Sequence, residues 1–325
     1  MSDFKVLHIT NAMPSDDFPG YGVFIKEQIH SLQDPELTNT WFINGRQEGK
    51  WAYVKALFQF TSRIRNYDII HCHHIYVGLL AALVAPRKKK VVSFLSDEFN
   101  LSTHGWKRWM YRFVVRNAQA RIYKKAIPPN LLQDPFSKYL PNGVDLDFFK
   151  PGHKLDACQQ LGLNPNARYL LFVSGNDLYR PEKRYVLLES ALQILKQSSQ
   201  FQDVEILPMV KVSREQVPAY FQASEMHVLT SLYEGSPNSV KESMACNVPV
   251  LATPVGNVRE MISDAPHCRI IEDESPQYIA EQISEMLHRS ETPDLRAVLI
   301  QKGLDMASVA NQLKALYSQV FNLKM

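Results

Sequence analysis

The chain is poor in the features that would commit it to a membrane, a disulfide framework or a metal cluster. Its 325 residues include four cysteines, Cys72, Cys158, Cys246 and Cys268, and no C-x-x-C pair. That spacing excludes a zinc ribbon or a disulfide scaffold and reads as reduced thiols of a cytosolic protein. The longest apolar run, Ile75 to Ala85, falls well short of the roughly 20 residues that span a bilayer. Asp3 and Lys5 lead directly into a short strand, so no signal peptide is expected. No low-complexity tract and no internal repeat interrupts the chain, and an apolar content of 45% is that of a globular protein.

What is present is length and an uneven charge. A chain of 325 residues suits two domains better than one core. The formal net charge of +3 conceals an asymmetry: residues 1–150 carry 20 Lys and Arg against 13 Asp and Glu, and the remainder carries 16 against 20. Between Arg87 and Lys125 stand 11 basic residues against Asp97 and Glu98 alone. There the segment WKRWMYRFVVRNAQARIYKK interleaves Trp106, Trp109, Tyr111 and Phe113 with the positive charge. A basic helix with interfacial aromatics suits an anionic membrane surface. No nucleic-acid-binding module is recognisable around it, so nucleic acid is not the expected partner. The alternative is a solvated basic face whose aromatics belong to the core.

The order of periodic segments is that of an α/β protein. Lys5–Thr10 reads as a strand and Val23–Leu32 as a helix with Ile25, Ile29 and Leu32 on one face. Strands follow at Trp41–Asn44, Tyr67–His71 and Val91–Phe94, with helices around Tyr53–Arg63, Val77–Val84 and Trp106–Ala118, and a last strand near Tyr139. A second alternation starts at Arg168 and runs to the helix PQYIAEQISEML. Two βα series predict two parallel-sheet, Rossmann-like domains with ligands at the carboxyl ends of the strands and the cleft between them as the default site. The expected division is residues 1–150 and 151–305, with the boundary near Lys150–Lys154. Residues 306–325 are expected to form a helix that returns to the first domain.

The stretch richest in chemistry is SLYEGSPNSVKESMACNVPVLATPVG, Ser231 to Gly256. Ser236 is a natural helix N-cap and Pro237 a natural first residue, which predicts a helix start there. The free N–H groups of that start favour a phosphate. Glu234 lies in the loop ahead of it and Glu242 about a turn and a half into the helix, so one carboxylate can meet a sugar hydroxyl and the other a ribose. The arrangement suits a hydroxyl-rich group tethered to an anion, a nucleotide-sugar. An ordinary strand-turn-helix with exposed acids is the plainer reading of the same spacing.

The full string resembles the donor-site motif of family 4 retaining glycosyltransferases, with Asn247 where that family usually has Gly and Ser243 where it usually has Ala. Near the start of the chain, PGYGVFIKEQIHSL is similar to the glycine-rich first loop and helix of bacterial exopolysaccharide glycosyltransferases. YDIIHCHH, YLPNGVDLDFF and RPEKRY also resemble that family's segments, in the expected order. The resemblance implies the GT-B fold, two Rossmann-like domains facing a cleft. It also implies that Glu242 binds the ribose hydroxyls and Glu234 the donor sugar. Ser236, Pro237, Asn238 and Ser239 would present the helix start to sugar or phosphate, and backbone near Lys211–Ser213, Val212 included, would hold the base.

Negative charge builds on the leaving pyrophosphate as the sugar–phosphate bond breaks, and Arg180 and Lys183 are the cations expected to meet it. Gly20 and Gly22 would let the first loop approach the phosphate, unless they are simple turn glycines. The segment VVSFLSDE carries Leu95 and Ser96 where the family often has a histidine and glycine; Asp97 persists and is expected to order the loop or touch the acceptor. His71, His73 and His74 around Cys72 invite a metal hypothesis, but His73 and His74 on extended chain point apart, so His73 is assigned a structural or acceptor-side role. No D-x-D pair is placed at a strand end in the site region, so metal-independent transfer without a cofactor is expected.

By the same resemblance the reaction is retaining and proceeds on the front face, with a double displacement through Glu234 as the alternative. The expected function is transfer from a UDP-sugar to a lipid-linked or polysaccharide acceptor in cell-envelope glycan synthesis, in the cytoplasm at the inner membrane face. Two other readings stand beside it: a nucleotide-sugar 2-epimerase, and a degenerate transferase that serves as a partner- or membrane-binding subunit.

Overall fold

The structure is a computed structural model that describes residues 3–15, 20–95, 105–288, 291 and 293–323. It divides into two compact units, residues 1–142 with 306–325, and residues 143–305. Each is a parallel sheet covered by helices.

The first unit runs β1 (Val6–Thr10), α1 (Val23–His30), β2 (Asn39–Phe42), α2 (Lys50–Ile64), β3 (Ile69–His73), α3 (Ile75–Val84), β4 (Lys89–Phe94), α4 (Gly105–Asn117), β5 (Ala120–Tyr123) and β6 (Ser137–Tyr139). The strands pair in parallel in the order β2-β1-β3-β4-β5-β6. Every residue of VLHIT and IIHCH is buried, because helices cover both faces of the sheet, and the polar members His8, Thr10, His71 and His73 share one face. Side chains still alternate between faces. Leu7, Ile9, Ile70, Cys72 and Val92 meet α2, α3 and α4 on one side of the sheet. Val6, Ile69, Val91 and Ile122 face the other side.

The second unit holds α5 (Lys154–Leu161), β7 (Arg168–Gly175), α6 (Tyr185–Leu195), β8 (Val204–Val210), α7 (Val217–Gln222), β9 (Ser224–Leu229), α8 (Asn238–Ala245), β10 (Val250–Ala252), α9 (Val258–Ile262), β11 (Arg269–Ile270), α10 (Pro276–Leu287) and α11 (Leu295–Gln301). Its five parallel strands lie in the order β11-β10-β9-β7-β8. The chain leaves β7 on one side to form β8 and on the other to form β9. The carboxyl ends of β7 and β9 therefore flank a topological switch point, where open α/β sheets bind ligands. The last helix, α12 (Met306–Phe321), belongs to the first unit: Leu313, Leu316, Tyr317 and Val320 pack on Phe4, Val6, Ile69 and Val91.

Most element edges shift by one to three residues from the sequence reading. The helix start at the glutamate motif needs correction. Pro237, with ψ 119°, stands outside the helix in the cap position, and α8 begins at Asn238. Ser236 makes no capping bond, because the extended proline carries its hydroxyl away from the first turn, and that hydroxyl lies 3.3 Å from Lys241 Nζ. At the other end Asn247 takes φ 58° and closes α8 as a left-handed cap. Its N–H donates to Met244 O, and Val248 N–H donates to Ser243 O. The Asn247 side chain accepts from the N–H groups of Leu295 at 3.1 Å and Arg296 at 3.4 Å, at the start of α11. Glycine could supply the first of these functions and not the second.

Candidate active site

The switch point of the second unit is built from two latched loops. The loop from β7 to α6 is stitched to the end of β9: Thr230 Oγ1 donates to Lys183 O at 2.8 Å, and Arg184 Nε donates to Thr230 O at 2.7 Å. Arg184 holds φ 53° ahead of α6, a left-handed conformation that costs roughly 1–2 kcal/mol in a residue with a Cβ. On the other side Gly256, at φ 58°, lies against the Glu234–Gly235 backbone so closely that a Cβ there would sit 2.0 Å from Gly235 O. Asn257 N–H donates to that same oxygen at 3.2 Å. The loop bearing Glu234 is thus clamped from behind.

Across these loops Lys183 Nζ donates to Glu234 Oε1 at 2.6 Å, and Ser231 Oγ donates to the same oxygen at 2.9 Å. One turn into α8, Glu242 is 7% exposed and accepts from Arg214 Nη1 at 2.7 Å. The Arg214 guanidinium stacks over the Phe149 ring at 4.7 Å. Between the two carboxylates lies the start of α8, whose first N–H groups have no intrahelical acceptor. There the Asn238 side-chain oxygen is buried with no hydrogen-bond partner among the described residues. Such an orphan costs about 1–3 kcal/mol unless something donates to it.

Two buried groups beneath this start were not read from the sequence. His227 on β9 donates from Nδ1 to Leu171 O at 3.2 Å, which leaves Nε2 to accept from Ser239 Oγ at 3.1 Å. Burial lowers its pKa to about 4, so the ring is neutral and fixes the Ser239 hydroxyl. Lys241 is 1% exposed, and burial brings its ammonium down to about 7 against the opposing pull of Glu242. Neither is visible in sequence, because a strand histidine and a helix lysine read as ordinary core and surface residues.

The remaining candidates fall elsewhere. Arg180 turns back on its own loop, with Nε and Nη2 on Glu182 Oε1 and Nη1 on Ser174 O. Only a shift of that local pair frees it for a phosphate. Val212 packs against the core behind Lys211, whose φ of 53° accompanies a 2.6 Å bond from its N–H to Gly175 O. Gly20 and Gly22 belong to the first unit. Gly20 meets nothing within 4 Å, whereas a Cβ on Gly22 would lie 2.4 Å from the Ala12 carbonyl, so the chain's own packing requires Gly22. Asp97 lies outside the described residues, as does Ser96; Leu95 packs beside Ala12, Ile25 and Ile29.

His73 belongs to a buried network that includes a residue the sequence reading left out. His8, His71 and His73 project from paired β1 and β3 toward α12, and His74 instead accepts from Tyr76 N–H at the start of α3. These three are the one His, Cys, Asp or Glu grouping among the described residues compact enough to surround a cation. Five of their six ring nitrogens are committed, and only His73 Nδ1 is buried without a hydrogen-bond partner among the described residues. His8 Nε2 donates to Leu37 O at 2.8 Å, so its Nδ1 must accept from His73 Nε2 at 2.9 Å. His71 bonds Tyr317 Oη at 2.6 Å and Ser93 Oγ at 2.8 Å. Burial holds all three pKa values below the usual histidine range, and Lys124 adds positive charge beside His71 and His73. The arrangement is a largely hydrogen-bonded core of neutral rings, and His73 is fully buried within it.

Two Rossmann-like parallel-sheet units, one with paired glutamates at its switch point, define an α/β protein of the GT-B type. Residues 155–306 match the family of glycosyl transferases group 1. A Bacillus subtilis protein described as a teichuronic acid biosynthesis glycosyltransferase is 29% identical over a 388-residue alignment, covering 97% of this chain and 98% of that one. An Escherichia coli UDP-Gal:alpha-D-GlcNAc-diphosphoundecaprenol alpha-1,3-galactosyltransferase is 24% identical over 239 residues, 62% of each chain. The solved structure of Anabaena HepE in complex with UDP and glucose shares the fold, with a TM-score of 0.71 at 17% identity over 97% of this chain and all of that one. Over residues 155–306 the chain matches glycosyl transferases group 1, and along its length it is similar to glycosyltransferases of envelope polysaccharide synthesis.

Proposed function

We propose that the protein transfers a sugar, with retention of configuration, from a UDP-sugar to a lipid-linked or polysaccharide acceptor of the cell envelope. The observation that carries this reading is the start of α8, where an unsatisfied buried amide oxygen and free N–H groups lie between Glu234 and Glu242. Glu242, oriented by Arg214, accepts from the ribose hydroxyls, and Glu234, oriented by Lys183 and Ser231, accepts from the donor sugar. As the sugar–phosphate bond breaks, Lys183 and the α8 N–H groups meet the charge of the leaving diphosphate, joined by Arg180 once it exchanges Glu182 for phosphate. The leaving phosphate takes the acceptor proton on the same face. Protein cations and helix N–H groups supply the compensating charge in this scheme, so transfer proceeds without a metal ion or cofactor. UDP is favoured because HepE was solved with it; the envelope acceptor is favoured by the names of the two relatives.

Thermal-shift binding of UDP, GDP and ADP, with and without magnesium, tests the reading on wild type and Glu242→Ala. UDP should stabilise wild type by about 2.7 kcal/mol at a hundred times its dissociation constant. The variant should bind about 10–150-fold more weakly, the equivalent of about 1.5–3 kcal/mol. If no nucleotide stabilises the protein, the donor-site reading fails and the degenerate-subunit reading replaces it.

A further inference from the structure

The helices α2, α3 and α4 share one core on one face of the first unit's sheet, built from residues such as Ala56, Phe60, Val77, Ala81, Met110 and Val114. Their outward side is not an ordinary solvated face. Helix α2 buries Ala52, Ala56, Phe60 and Ile64 and exposes a second apolar stripe at Trp51, Val54, Leu57 and Phe58. Trp51 is 71% exposed and Phe58 82%. A helix with apolar stripes on two sides has one more than its own sheet covers. On α4, Trp106 is 61% and Trp109 56% exposed, so the core does not account for the aromatics of the basic segment. Of the aromatics on α4 itself, only Tyr111 is buried. Leu83 of α3, 55% exposed, lies on the helix between.

The charge on this layer has one sign. Helices α2, α3 and α4 contain Lys50, Lys55, Arg63, Lys107, Arg108, Arg112 and Arg116 and not one Asp or Glu. Lys55 pairs with Glu48 at 2.7 Å and Arg63 lies over the Trp41 ring; the four cations of α4 carry no ion pair among the described residues. A polyanion such as nucleic acid would match the charge and leave the apolar stripe of α2 uncovered. A lipid surface satisfies both: headgroup charge attracts each Lys or Arg by about 1 kcal/mol, and the interface accepts Trp and Phe.

We propose that the outward faces of α2 and α4 together form a docking surface for an anionic lipid bilayer, with Trp51, Phe58, Trp106 and Trp109 entering the interface. The assignment adds α2 to the basic α4 segment and does not depend on the donor site. Sedimentation of the full chain with extruded vesicles tests it. Phosphatidylcholine vesicles containing phosphatidylglycerol should carry the protein down, and phosphatidylcholine alone should not. Trp51→Ser with Phe58→Ser, and separately Trp106→Ser with Trp109→Ser, should each weaken partitioning about tenfold. Arg108→Glu with Arg112→Glu should abolish it at low salt. These side chains are exposed, so the variants should keep the wild-type circular dichroism and the wild-type response to UDP.

Failure to sediment with anionic vesicles at low salt overturns the proposal, and so does partitioning that survives both aromatic pairs. A dimer in light scattering that the aromatic variants dissolve would assign the face to a second copy of the chain and overturn it too. None of these outcomes bears on nucleotide binding, which is read separately.

Discussion

At the residue scale, the donor loop rests on glycine. Gly256 and Gly162 have similar backbones, φ 58° and 68°, but a Cβ on Gly256 would strike Gly235 O whereas one on Gly162 meets nothing within 4 Å. Gly162→Ala should therefore cost only the left-handed strain, about 1 kcal/mol, and leave nucleotide binding unchanged. Gly256→Ala carries that strain and also pushes the backbone of Glu234 and Gly235, so nucleotide affinity should fall about tenfold or more, since sites need their donors held within fractions of an ångström. Urea denaturation and nucleotide titration on the two variants make the comparison. Equal affinities would show that the clamp behind Glu234 does not position it. Asn247 permits a similar contrast: Asn247→Gly loses only the bonds to α11, and Asn247→Ala adds strain, so Ala should be less stable than Gly by about 1 kcal/mol.

At the element scale, α12 is fastened to the first sheet by both apolar and polar contacts. Tyr317 is fully buried, and its hydroxyl is 2.6 Å from His71 Nδ1. Tyr317→Phe keeps the ring and leaves a buried imidazole nitrogen unpaired, at a cost of about 1–3 kcal/mol measurable by chemical denaturation. A loss below about half a kcal/mol would mean that His71 finds another partner. What could be read from the sequence follows from the range of the interactions involved. The βα alternation and the glutamates around α8 are local, set by periodicity and by single residues, and were legible. Arg214 reaches Glu242 across 28 positions and His8 pairs with His73 across 65; strand order decides such contacts, and no spacing announces them. The cap at Pro237 was misread for a different reason: a proline's φ fits both the cap and the first helical position, and only ψ separates them.

For the whole molecule, the buried histidines set the response to acid. His8 and His227 have pKa values lowered to about 4, and those of His71 and His73 are lowered well below 6.5, all chiefly by burial. The unfolded chain, with ordinary histidines, binds more protons than the fold between pH about 6.5 and about 4, so stability falls as pH drops through that window. His8 alone contributes about 3 kcal/mol over it, a large share of the 5–15 kcal/mol that holds a typical domain together. Three of the four histidines lie in the first unit, where His71 and His73 titrate against each other and against Lys124. Acid should therefore unfold the first unit before the second. All four tryptophans, Trp41, Trp51, Trp106 and Trp109, are also in the first unit. On acidification from about pH 7 to about pH 4.5, tryptophan fluorescence should report a transition while much of the far-ultraviolet circular dichroism persists, and His8→Gln should flatten the dependence of the urea midpoint on pH. Coincident transitions would mean that the two units unfold together, and a midpoint that stays constant down to about pH 5 would mean that these histidines are protonated in the fold and that the tautomers deduced from Leu37 O are wrong.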